Sequence, residues 1–165
     1  MKRIATASLL CLALAACSTT GDDKSSTLGN GGGTVTAAPP AVTPTGPTTP
    51  QAALLEAGDR VFFGYDRYDL TPEATSVLDR QAAWLAAYPT VTVVVEGHSD
   101  ERGTREYNLA LGDRRAAAAR NYLVAKGVDA ARIRTISYGK ERPAVGGADE
   151  AAWAQNRRAA TVIDG

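Results

Sequence analysis

Residues 53–165 predict an α/β sandwich: a small mixed sheet with helices packed on it, in the order β-α-β-α-β-(α)-β. Three observations carry that prediction. Val91 to Val95 is an unbroken β-branched run of the kind that fills a buried strand. Two long segments on either side of it open with helix caps and carry apolar stripes. All ten aromatic residues of the chain (2 Phe, 2 Trp, 6 Tyr) also fall in this part. Strands alternating with helices in this way assemble as layers.

Taken in order, Val61, Phe62, Phe63 and Tyr65 predict a short first strand. Thr71-Pro72-Glu73 then opens a helix, with Thr as cap, Pro at the first helical position and an acid near the positive end of the dipole. Val77, Leu78, Trp84, Leu85 and Tyr88 form its apolar stripe and Pro89 closes it. After the Val91–Val95 strand, Gly97 to Gly103 reads as a polar loop. A second helix runs from about Arg105 to Lys126, capped by Thr104 and terminated by Gly127. Ala116 to Ala119 is a small-residue patch that would let this helix lie close to the sheet. Arg132 to Tyr138 alternates as a strand, Asp149 caps a short helix through Trp153, and Ala159 to Ile163 is the last strand.

The first 52 residues have a different composition. Lys2 and Arg3 precede an uncharged, largely apolar run from Ile4 to Ala16, too short for a bilayer span of about 20 residues. It has the form of a secretory signal. Its end, Leu14-Ala15-Ala16-Cys17, resembles a bacterial lipobox. That resemblance implies removal of residues 1–16 and acylation of Cys17, a stable anchor when two or more chains are attached. Ser18 after the Cys resembles the sorting residue of lipoproteins sent to the outer membrane, with the domain facing the periplasm. From Ser18 to Ala52, 23 of 35 residues are Gly, Pro, Ser or Thr, and none is aromatic. Such a stretch buries too little to offset its ordering entropy. Residues 17–52 therefore read as a lipidated Cys and a disordered tether, roughly 30–35 Å end to end and about 120 Å when stretched.

Charge and cysteine content exclude several function classes. With 18 basic and 18 acidic side chains the net charge is zero, whereas nucleic acid binding needs a concentrated basic excess. Both cysteines lie in the first 17 residues and the chain has one His, so neither a disulfide framework nor a zinc site can be built in the domain. No metal and no cofactor are expected.

The most charged loop, Glu96 to Thr104, leaves a buried strand and enters a helix N-terminus, a common setting for ligand sites. Asn108, Leu111 and Arg115 follow at i, i+3 and i+7 and share a helix face. Asp100 and Arg115 can thus reach one pocket, where Asp100 would accept from an ammonium and Arg115 would grip a carboxylate. A salt bridge tying loop to helix is the alternative role for the same pair. Adjacent His98, Ser99 and Asp100 cannot act as a hydrolytic triad, because neighbouring side chains in an extended segment diverge and no nucleophile elbow surrounds Ser99. Asp100 and Glu101 are likewise poorly placed as a glycosidase pair. Catalysis is not expected, and His98 reads as a packing or hydrogen-bonding residue.

Gly97-His98-Ser99-Asp100-Glu101-Arg102-Gly103-Thr104, Tyr107-Asn108, Leu111-Gly112 and Arg114-Arg115-Ala116 resemble the peptidoglycan-binding motif of OmpA-like C-terminal domains. In detail they are closer to the peptidoglycan-associated lipoproteins of that family. Phe62 to Leu70, Ser137 to Pro143 and Asn156 to Ala159 support the match, which covers residues 58–163. The resemblance implies noncovalent binding of the diaminopimelate-containing stem peptide of peptidoglycan. By position, Asp100 is the acidic ligand and Arg115 the basic one, Asp66 is the acid after the first strand, and Tyr65 is the aromatic before it. Arg102, Thr104, Asn108 and Leu111 take further groove positions. Also implied is a partner, the periplasmic propeller protein TolB, within a Tol–Pal system that ties the outer membrane to the wall and supports constriction at division. Ser99, Gly64 and Arg105 depart from the family pattern, and Arg105 stands beside the expected groove.

Overall fold

The computed structural model describes residues 49–165. The signal segment, Cys17 and the tether up to residue 48 lie outside the described residues. The elements are α1 (Pro50–Ala57), β1 (Arg60–Phe62), α2 (Pro72–Ala87), β2 (Val93–His98), α3 (Arg105–Ala125), β3 (Ile133–Gly139), α4 (Glu150–Asn156) and β4 (Arg158–Ile163). A turn of 3-10 helix, Ala130–Arg132, leads into β3. The strands form one mixed sheet in the order β1-β4-β2-β3. β4 runs antiparallel to both β1 and β2, while β2 and β3 are parallel and joined through α3.

Helix α1 was not anticipated. It takes in Pro50, Gln51 and Ala52, which composition had assigned to the tether. The Thr49 hydroxyl accepts from the Ala52 amide, Pro50 occupies the first turn, and Leu54 is fully buried. The Trp84 indole N–H donates to the Pro50 carbonyl at 3.0 Å, fastening α1 to α2. β1 is shorter than expected and stops at Phe62, because Tyr65 and Asp66 belong to a turn in which Asp66 has φ +56°. Thr71 caps α2 and Thr104 caps α3, each accepting from the amide three residues on, and Gly127 lies beyond α3 at φ +94°.

The core lies between the sheet and the helices. Val61, Val93, Val95, Ile133 and Ala159 face Leu54, Leu78, Trp84, Leu85, Ala116, Ala119 and Leu123. Gln81 bridges the layers inside this core, donating to the Gly58 carbonyl and accepting from the Thr161 hydroxyl. Among the described residues no helix packs on the opposite sheet face, and Ile136 and Val162 on it are each 40% exposed.

β2 runs through His98 rather than ending at Val95, so Gly97 and His98 are strand residues and the loop begins at Ser99. The reason is the crossing of α3. A Cβ on Gly97 would fall 1.8 Å from the Gly112 carbonyl oxygen, and one on Gly112 would fall 2.3 Å from the Ser137 hydroxyl. Backbone lies on backbone there, and the Ser137 hydroxyl donates to the Leu109 carbonyl at 2.7 Å to lock the crossing. This contact sets the depth of α3 and hence the position of Arg115, less than one turn further on. Gly97→Ala should therefore lower unfolding stability by about 3 kcal/mol or more. Urea titration checks this through a lower midpoint at unchanged slope. A loss below about 1 kcal/mol would contradict the crossing.

Candidate functional site

A cleft of about 150 Å³ opens where the β1–α2 turn, the β2–α3 loop and the first three turns of α3 meet. It is lined by Tyr65, Asp66, Asp100, Arg102, Gly103, Tyr107, Asn108, Leu111 and Arg115. Asp100 and Arg115 thus share one cavity, as their spacing predicts. Of the eight expected cleft residues only Thr104 is absent from the lining, and its hydroxyl serves as the α3 cap.

Arg115 is fully buried. Its Nε donates to the Arg67 carbonyl at 2.8 Å, Nη1 to the His98 carbonyl at 2.8 Å and Nη2 to the Gly64 carbonyl at 3.1 Å. Three of the five guanidinium N–H groups are satisfied in this way, and no carboxylate among the described residues comes within ion-pair reach. Burial pushes the guanidinium down to about 10, against smaller upward pulls from Asp100 and Asp66, so it stays charged at neutral pH.

Asp100 is also buried, but its ion-pair partners are Arg102 at 2.5 Å and Arg157 at 3.5 Å. The alternative of a loop-to-helix salt bridge with Arg115 is therefore not what the structure contains. Burial alone would raise the Asp100 carboxyl, but hydrogen bonds from the side chain and backbone of Arg102, with Arg157 behind, outweigh it and hold the group below its ordinary value. Oδ1 accepts only the Arg102 amide, at 3.2 Å, leaving lone pairs for a further donor.

The Arg102 guanidinium lies over two rings, 4.1 Å from the Tyr65 centroid and 4.0 Å from that of Trp153. Its Nε is buried without a partner. Asn108 is spent on the loop itself, donating from Nδ2 to the Arg102 and Thr104 carbonyls. Asp66 accepts from the Tyr107 hydroxyl across the cleft. Tyr107 stands in the motif but not among the expected cleft residues; one turn of helix before Leu111, it lies on the same helix face and joins the lining. Arg105 pairs with Glu141 at 3.4 Å and takes no part in the lining.

The arrangement presents an acceptor with spare lone pairs and a buried cation with spare N–H groups on one cavity. It suits a small group carrying both an ammonium and a carboxylate. Among the described residues no three His, Cys, Asp or Glu side chains converge as metal ligands would.

Comparison with known proteins adds an independent line. The OmpA family matches residues 62–157. Over 119 residues the chain is 56% identical to the peptidoglycan-associated lipoprotein of Rhizobium meliloti (strain 1021), covering 72% of this chain and 68% of the relative. It is 44% identical over 164 residues to that of Brucella melitensis biotype 1, covering 98% and 92%. The crystal structure of the peptidoglycan-associated lipoprotein from Burkholderia pseudomallei is similar at a TM-score of 0.63 and 44% identity, over 66% of this chain and 92% of that one.

His98 is 1% exposed and lies outside the lining, its ring 5.6 Å from that of Tyr138 and both nitrogens without hydrogen-bond partners. It packs on that ring, and its Nε2 lies 3.5 Å from a Glu96 carboxylate oxygen. Burial, aided by the positive charge of Arg158, pushes its imidazole down from 6.5 to about 4. The unfolded chain takes up that proton first as pH falls, so stability is lost between about pH 6.5 and 4. The loss should amount to roughly 2–3 kcal/mol. As the chain has a single His, one imidazole NMR titration checks this, and a midpoint near 6.5 would contradict it. His98→Leu should flatten the stability curve over the same range.

Proposed function

The chain belongs to the OmpA family, among its peptidoglycan-associated lipoproteins, and from that premise we propose that it holds peptidoglycan noncovalently through the diaminopimelate residue of the stem peptide. The observation that supports this best is the pairing, in one cleft, of a buried Arg115 that has no carboxylate partner among the described residues with an Asp100 whose Oδ1 accepts only the Arg102 amide there. Inside a crosslinked or pentapeptide stem, diaminopimelate can keep a free ammonium and carboxylate on one carbon. Asp100 takes the ammonium. Arg115 takes the carboxylate with its two unspent N–H groups. Arg102, with its orphan Nε–H, stands beside them as a further donor.

No bond is made or broken on this reading; the protein binds and releases. Hydrogen bonds to charged groups contribute roughly 1.5–3 kcal/mol each, so two or three give a grip that growth of the wall can reverse. Acylated Cys17 would anchor the chain in the outer membrane, residues 18–48 would serve as a leash leading into α1, and the domain would face the periplasm. The Tol–Pal system, with TolB as a partner, is the assembly in which such a tether acts in envelope integrity and division.

Asp100→Asn keeps shape and removes charge. It should weaken co-sedimentation with purified diaminopimelate-type sacculi at least tenfold while leaving the circular dichroism unchanged. Undiminished binding by the folded variant would reject the site. Incubated sacculi should release no soluble muropeptides, and release would favour a hydrolase. Capture of TolB by the full chain separates a Tol–Pal member from an OmpA-like lipoprotein outside that system.

A further inference from the structure

α4 touches every charged residue of the binding loop, from one face. Glu150, Trp153 and Arg157 follow at i, i+3 and i+7, with Arg157 just past the helix end. The Trp153 ring covers the Arg102 guanidinium, and its indole N–H donates to Glu101 at 3.2 Å. Glu150 lies 3.9 Å from Arg102 and accepts from Arg157 Nη2 at 2.6 Å. Arg157 Nη1 faces Asp100 Oδ2 at 3.5 Å.

Arg157 is 6% exposed and lines no part of the cleft, yet it is tied to both halves of it. Its Nε donates to the Phe63 carbonyl at 3.0 Å and its own carbonyl accepts from the Phe63 amide at 2.9 Å. Phe63 directly precedes Gly64, whose carbonyl holds Arg115. One buried guanidinium therefore joins the strand end that seats Arg115 to the carboxylate that faces it.

We propose that Arg157 is a positioning residue for Asp100, fixing the direction and the charge of that carboxylate from behind the cleft, with α4 as the brace that keeps it there. This rests on reading the cleft as an ammonium and carboxylate site. The other charged and titratable groups on the cleft with Asp100 are Arg102 on its own loop, Arg115 and Tyr107 from α3, and Tyr65 and Asp66 from the β1–α2 turn, while Glu150 of α4 pairs with Arg102 and Arg157 behind it. His98, two residues before it, is neutral at pH 7 because burial pushes its imidazole down to about 4, and it takes up its proton as pH falls towards the Asp100 range. Removing the Arg157 cation takes away one of the influences that hold the Asp100 carboxyl low, so its titration must move up in pH.

The test uses the full chain and reads the Asp100 carboxyl by carbon-13 NMR against pH. Arg157→Gln should raise the Asp100 midpoint, and Arg157→Lys, which keeps a cation, should raise it less. A folded Arg157→Gln in which Asp100 titrates as in the wild type overturns the proposal, as does equal movement in both variants. If neither variant folds, the wild-type chain decides, because the resonance of Arg157 Nη1–H, the group that faces Asp100 Oδ2, must follow the Asp100 midpoint. A resonance indifferent to that titration overturns it. Sacculus co-sedimentation gives the second arm: Arg157→Gln should bind about tenfold more weakly at pH 7, with its acid limb displaced upward. Should the wild type itself fail to sediment while the titrations behave as expected, the proposed function fails and the hold of Arg157 on Asp100 stands.

Discussion

A guanidinium taken out of water loses several kcal/mol of hydration, which a nearby carboxylate ordinarily offsets. Arg115 has no such partner among the described residues. Instead three backbone carbonyls, from the β1–α2 turn and the end of β2, solvate its cation. Much of the domain follows from this arrangement. α3 must lie close enough for the side chain to reach those carbonyls, which the glycine crossing at Gly97 and Gly112 allows. The β1–α2 turn must fold back over α3, which places Asp66 at φ +56°. What remains is a positive charge with unspent donors on a cleft, and on the proposed reading an anionic group entering there would supply its counter-charge.

The loop that carries Asp100 is built to be rigid. The Ser99 amide donates to the Gly139 carbonyl at 2.8 Å, Asn108 holds two loop carbonyls, and Lys140 donates to the Glu101 and Gly103 carbonyls. The cation–π contacts of Arg102 with Tyr65 and Trp153 add a clamp across three elements. A site ordered before its ligand arrives loses little side-chain entropy on binding. This makes a small reversible contact compatible with a useful grip. Many such domains held on one membrane would add their grips together.

Much of this was legible in the sequence because the signals were local. Thr71-Pro72, Thr104 and Gly127 set helix limits within a residue or so of those observed, and the i, i+3, i+7 spacing of Asn108, Leu111 and Arg115 placed all three on the cleft. Thr49-Pro50 carries the same cap and first-turn proline as Thr71-Pro72. It went unread because a Pro- and Thr-rich surround favoured a tether, and Leu54 and Trp84 decided otherwise by tertiary contact. Gly97 read as loop because a glycine in a strand is explained only by what crosses it. The roles of Arg157 and Trp153 were hidden for a similar reason: they act across more than 50 residues of chain, on Asp100 and Glu101. The expected acylation of Cys17 and the expected tether up to residue 48 fall on residues outside those described.

The central claim is that one cleft recognises both signs of charge on a single amino acid. The direct measurement is calorimetric titration of the full chain with two stem peptides that differ at one residue, diaminopimelate in one and lysine in the other. Lysine keeps an ammonium for Asp100 but has no second carboxylate for Arg115. The account predicts that the lysine peptide binds at least tenfold more weakly, since a charge-assisted pair is lost at a buried cation. Equal affinities for the two peptides would contradict it.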